Sequence, residues 1–225
     1  MLLPDYLYNT TVFFAFTTAV LGIMVLGRLF TNKLKDLFED QHYSSFFFLI
    51  AGYFFYALGE LTWFLQFKVY DQVPATSIAD VYWICGAIFL LIAFITFAVN
   101  FSPEYGSMKT KSFSLIFGLA LVGFSLYYLF SIDLVTLAEG RGHLVIGFFY
   151  PIASSLLVAF SLPVIIYFRQ LPGFMSRMLL MLFISNIGIL TGDILYLNNT
   201  LQTGNGGLKI AYNSVYTLAY LMSSL

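Results

Sequence analysis

Long apolar runs separated by short polar interruptions dominate this chain. The runs cover approximately residues 11–30, 44–66, 78–100, 113–132, 144–168, 174–198 and 208–225. A helix needs roughly 20 mostly apolar residues to cross a bilayer core. The pattern therefore predicts an all-α membrane protein with seven transmembrane helices. The runs do not alternate apolar and polar at period two, which argues against a closed β-barrel. The interruptions are all short and leave no room for a soluble domain, so residues 1–225 read as a single polytopic membrane domain. In the first interruption, residues 31–41 place Leu34, Leu37 and Phe38 on one helical face. That suits either a short helix lying at the membrane surface or a solvated loop.

Composition sharpens this picture. Hydrophobic residues make up 60% of the chain and charged residues 9%, with a mean hydropathy of +0.88. A soluble domain carries about 25% charged residues, so these few charges do not coat a globule. The net charge of −1 implies no nucleic-acid partner. The single cysteine, Cys85, excludes an intramolecular disulfide. The N-terminus lacks a basic region and a small-residue cleavage site, so the first run reads as a retained helix.

Orientation follows from lysine and arginine, which favour the cytoplasmic face. With seven spans, one side carries Arg28, Lys33, Lys35, Lys109, Lys111, Arg169 and Arg177, and the other Lys68, Arg141 and Lys209. This predicts a cell-membrane protein with its N-terminus outside and its C-terminus in the cytoplasm. Two N-x-T sequons, at Asn9 and Asn198, would then lie outside or at that interface.

The chain also carries a faint internal echo. A shift of 133 residues aligns Gly59-Glu60 with Gly192-Asp193, Trp63 with Tyr196, Asp80 with Asn213 and Gly86 with Ala219. Equivalent points are four helices apart, and an even number preserves direction. The halves, about 1–132 and 134–225, would be parallel repeats about an axis along the membrane normal. A complete unit would hold eight helices, four plus four, with the second copy here incomplete. The partner of the third span would run to about residue 233, so either the seventh helix is short or the chain is a fragment of a longer protein.

The densest chemistry lies in GELTWFLQFKVYDQVPATSIADVYWICGA, residues 59–87. Glu60 and Asp80 each have a tryptophan three residues on, Trp63 and Trp83. In the second copy Asp193 is followed by Tyr196, and Asn213 by Tyr216. By the predicted topology all four polar residues fall at similar depth, towards the outside. The result would be an acidic, aromatic-lined cluster with no lysine or arginine at its level. Buried acids of this kind are protonated, hydrogen-bonded, or partnered by a cation, to which the aromatics add cation–π attraction. Simpler readings compete. Ser77-Ile78-Ala79-Asp80 fits a capping box at a helix start. Trp63, Trp83, Tyr196 and Tyr216 fit an interfacial aromatic belt. Glu60 and Asp193 lie inside their helices, where capping does not explain them, and interhelical hydrogen bonding is their alternative to ligand binding.

The residues Gly59, Glu60, Trp63, Pro74, Ser77, Ala79, Asp80 and Gly86 resemble the pattern of a membrane domain found at the N-terminus of some archaeal and bacterial signalling proteins, such as histidine kinases and diguanylate cyclases. In the second copy Asn213 replaces the aspartate. The resemblance implies a sensor module with a cytoplasmic output domain after the last helix, and this sequence contains no such domain.

Enzymatic signatures are lacking. There is no H-E-x-x-H, C-x-x-C or G-x-S-x-G, and the Gly-rich residues 203–207 lack phosphate-loop spacing and read as a turn. His42 and His143 fall on opposite faces by this topology, so no metal site or cofactor is expected. Asp193 lacks the sequence context of an intramembrane aspartyl protease, and no lysine sits mid-helix in the seventh span to hold retinal. Pro151 and Pro163 kink or hinge the fifth span, or are simply tolerated there. Three functions remain: a sensory module receiving a small, cationic or proton signal from outside, a secondary transporter for a cationic or proton-coupled solute, and a non-catalytic subunit of a membrane complex. Expected partners are the lipid bilayer, a small-molecule ligand, and a cytoplasmic output domain or another membrane protein.

Overall fold

The structure, a computed structural model, describes residues 3–30, 41–70, 77–105, 108–131, 141–168, 173–201 and 206–225. Seven helices account for nearly all of them: α1 (Leu3–Phe30), α2 (Gln41–Phe64), α3 (Ile78–Tyr105), α4 (Met108–Ser131), α5 (Arg141–Phe168), α6 (Phe174–Leu201) and α7 (Gly206–Ser224). The end of α2 widens into a π-helical turn, Leu65–Val69. Helices are the expected answer to these runs, because lipid offers no hydrogen bonds and a helix satisfies its backbone internally. Six of the seven are long and apolar enough to cross a membrane. The seventh, α7, has 19 residues and carries Lys209, Asn213, Ser214, Thr217, Ser223 and Ser224. Residues 31–40, and residues 202–205 of the glycine-rich stretch, lie outside the described residues.

Six helices close into a ring. In order around it, α1 packs on α2, α2 on α3, α3 on α5, α5 on α6, α6 on α7, and α7 returns to α1. Helix α4 lies outside the ring against α5. Large apolar side chains cover the outer faces, including Phe13, Met24, Leu119, Phe124 and Tyr127. The interior is built from spaced stripes. On α3, Leu90, Ala93, Phe94 and Phe97 recur at helical spacing and are at most 1% exposed. Leu49, Leu182, Leu179 and Val164 meet them from α2, α6 and α5.

Small and hydroxylated residues set the helix contacts, as expected where lipid removes the hydrophobic drive for association. Thr11 and Thr217 hydroxyls lie 2.8 Å apart, and Thr18 and Ser223 3.0 Å apart, joining α1 to α7. Ser125 and Ser155 join α4 to α5 at 2.9 Å. Helices α2 and α3 approach closely, where a Cβ added at Gly86 would stand 2.9 Å from the carbonyl oxygen of Gly52. The obstacle is backbone, which does not swing aside. Gly86→Ala should therefore destabilise the protein by about 1–3 kcal/mol, read as a lowered midpoint of thermal unfolding in detergent.

Candidate functional site

Glu60 sits near the end of α2 and Asp193 near the end of α6, and both are buried, each 8% exposed. Asp193 lies within electrostatic reach of Glu60, and the two acids accept from tyrosines one turn apart on α7. Neighbouring helices supply their hydrogen bonds. Tyr220 Oη donates to Glu60 Oε1 at 3.1 Å, and the Trp83 indole stands beside that carboxyl. Tyr216 Oη donates to Asp193 Oδ1 at 2.7 Å, and Ser154 Oγ to Asp193 Oδ2 at 2.5 Å. Tyr8 Oη reaches the backbone carbonyl of Glu60 at 3.2 Å.

Asp80 has a different position. It opens α3 and accepts from the backbone N–H of Ser77 at 2.7 Å through Oδ2, while Ser77 Oγ accepts from the N–H of Ala79 at 3.0 Å. This is the reciprocal capping geometry of a helix start. Its other oxygen, Oδ1, accepts from Tyr150 Oη at 2.9 Å. Tyr150 and Ser154 are one turn apart on α5, so α5 ties Asp80 on α3 to Asp193 on α6. Tyr216 and Tyr220 are one turn apart on α7, so α7 ties Asp193 to Glu60 on α2. With Trp83 and Tyr8, the circuit touches all six helices of the ring.

The aromatics divide differently from the sequence pattern. The partners three residues on, Trp63 and Tyr196, make ring contacts with the next helix. Trp63 packs on Trp83 with ring centroids 6.1 Å apart, and Tyr196 is 40% exposed and meets Tyr212 edge-on at 5.4 Å. Three residues is a rotation of about 60° short of a full turn, so a side chain at that spacing is displaced around the helix. The next helix, by contrast, points straight in. Its close approach needs glycine: a Cβ at Gly59 would meet Trp83 Cδ1 at 2.5 Å, and one at Gly192 would meet Tyr216 Cε1 at 2.6 Å. Asn213 is buried and donates to the carbonyl of Lys209 at 2.8 Å, one turn back on its own helix.

Tyr8, Tyr56, Tyr150, Ser154 and Tyr220 belong to this site without standing out in the sequence. One signal was present for two of them: Tyr56 lies one turn before Glu60, and Tyr220 one turn after Tyr216. Among the described residues, no group of three or more His, Cys, Asp and Glu side chains is arranged to hold a metal ion. The sequon residues Asn9 and Asn198 lie within α1 and α6, with their Oδ1 atoms buried.

No protein-family model, curated protein or solved structure matches this chain. The likeness to N-terminal sensor domains therefore rests on its motif residues alone.

The hydrogen bonds to Asp193 have an energetic consequence. Ser154→Ala removes a donor and leaves a buried carboxyl oxygen without its partner, which costs about 1–3 kcal/mol. Ser155→Ala, one residue on, breaks only a contact between two hydroxyls. Thermal unfolding of the two variants in the same detergent should show the larger loss for Ser154→Ala.

Proposed function

We propose that this protein is a membrane-embedded receiving module that binds a small organic cation at Glu60 and Asp193. The observation that carries the reading is the pair itself. Two buried carboxyl groups lie within electrostatic reach of one another, and the nearest basic residues on their own helices, Lys68 and Arg177, are more than two turns away. Lys68 is moreover engaged by Asp5 at 2.5 Å. Trp83, Tyr216 and Tyr220 surround the acids, and aromatic faces attract ammonium groups. Asp80 serves as a cap and as the anchor for Tyr150, so its part is to position α5.

Ligand entry from outside, at the end of the bundle where α2 and α6 finish, follows from the lysine and arginine distribution. Deeper than Tyr53 and Asn186 the interior turns apolar: Leu49, Phe94, Leu182 and Phe97 fill it and are buried. That barrier favours reception over transport. A bound cation would pull on Tyr216, Tyr220 and Ser154 together, and so on α5 and α7, which reach the opposite face. A cytoplasmic output partner there is the natural recipient of such a movement. We further propose that residues 1–132 and 134–225 are parallel repeats. In its support, Gly59 against Trp83 and Gly192 against Tyr216 are equivalent contacts under the shift of 133 residues, and so are the ring contacts α2–α3 and α6–α7.

The test uses phenethylamine and its uncharged counterpart 2-phenylethanol, titrated into protein in nanodiscs by calorimetry. The amine should bind and the alcohol should not. The Glu60→Gln, Asp193→Asn double variant should bind the amine at least tenfold more weakly. Equal affinity in wild type and double variant, or no binding of the amine, would contradict the proposal.

A further inference from the structure

A second polar tier lies deeper in the ring. Asn186 precedes Asp193 by seven residues on α6, and Tyr53 precedes Glu60 by seven on α2. Seven residues are two turns, about 10.5 Å along the helix, so each acid has a polar residue below it on the same face. Asn186 is 1% exposed, and neither its Oδ1 nor its Nδ2 has a hydrogen-bond partner. Tyr53 Oη and Ser185 Oγ are neighbours, and both are buried without a hydrogen bond of proper geometry. A buried amide left unpaired on both sides costs several kcal/mol in apolar surroundings. The acids above already accept hydrogen bonds from Tyr220, Tyr216 and Ser154 and keep acceptor capacity for a cation, while this tier offers a donor and an acceptor to a guest.

The layer between the tiers is aromatic and small. Tyr56 and Tyr220 supply rings, and Ala57 and Ala87 supply little bulk. Below the second tier, Leu49, Leu182 and Phe94 form an apolar floor. The order from the bundle end inward is thus anionic, aromatic, hydrogen-bonding, apolar.

From this order we infer that the cation site continues into a deeper subsite at Asn186, and that the ligand is an arylalkylamine carrying a hydroxyl on the ring end remote from its nitrogen. The ammonium group meets Glu60 and Asp193, the ring lies against Tyr56 and Tyr220, and the hydroxyl donates to and accepts from Asn186 with Tyr53 and Ser185 beside it. The inference rests on the cation-binding reading given above and adds the class of ligand. A hydroxyl suits the amide because it is a donor and an acceptor at once.

Tyramine and phenethylamine differ by that one hydroxyl, so they are the probes. In nanodiscs, calorimetry should give tyramine at least tenfold tighter binding than phenethylamine. Asn186→Leu should abolish the difference and leave phenethylamine affinity unchanged. Tyr53→Phe, which keeps the ring and its packing, should reduce the difference and serves if Asn186→Leu does not fold. Equal affinity for the two amines in wild type, with phenethylamine still weakened by Glu60→Gln, would overturn the deep subsite and leave the cation site standing. Binding of neither amine would overturn both.

Discussion

A carboxyl group inside a membrane bundle must find donors, because the lipid has none to give. That constraint organises this protein. An unpaired polar group in apolar surroundings costs several kcal/mol, whereas a hydrogen bond between membrane helices gains on average about 0.6 kcal/mol. The penalty for a missing partner is therefore larger than the reward for a good one. Glu60, Asp80 and Asp193 are each met by donors from other helices or from the backbone. Those donors come in pairs one turn apart, Tyr150 with Ser154 and Tyr216 with Tyr220. Each pair makes one helix the bridge between two others, and the ring closes through them.

Under the proposed function, the same arrangement would link stability to reception. Because the acids hold the ring through α5 and α7, anything that competes for their oxygens acts on both helices. A bound cation would add attraction at the acids and alter the hydrogen bonds made by Tyr216, Tyr220 and Ser154. The apolar layer of Leu49, Phe94 and Leu182 would isolate such an event from the other face. Movement can cross that layer through the rigid helices, while a solute meets a packed barrier.

Much of the fold was legible in the apolar runs. Seven helices follow from their lengths, and their boundaries move mainly at the ends, as where α3 continues past Asn100 to Tyr105. Asp80 was legible as a cap because Ser77 stands three residues before it. Glu60 and Asp193 were conspicuous because acids are rare in such helices. The donors were not legible. Tyr150, Tyr220 and Ser154 are ordinary members of a chain with 16 tyrosines, and no local pattern says which of them faces an acid. That choice is made by the ring order, which places α5 beside α3 and leaves α4 outside. Nor did the spacing show that Trp63 packs on Trp83 and Tyr196 on Tyr212, contacts that depend on the neighbouring helix.

The most direct test is a double-mutant cycle on α7, with Tyr216→Phe, Tyr220→Phe and the pair measured by reversible unfolding. The two hydroxyls do not bond to each other, and each serves a different acid. If the acids form one network, the two changes couple by about 0.5–3 kcal/mol. If the losses add to within about 0.3–0.5 kcal/mol, the hydroxyls act independently, and the account of a single circuit closing the ring is wrong.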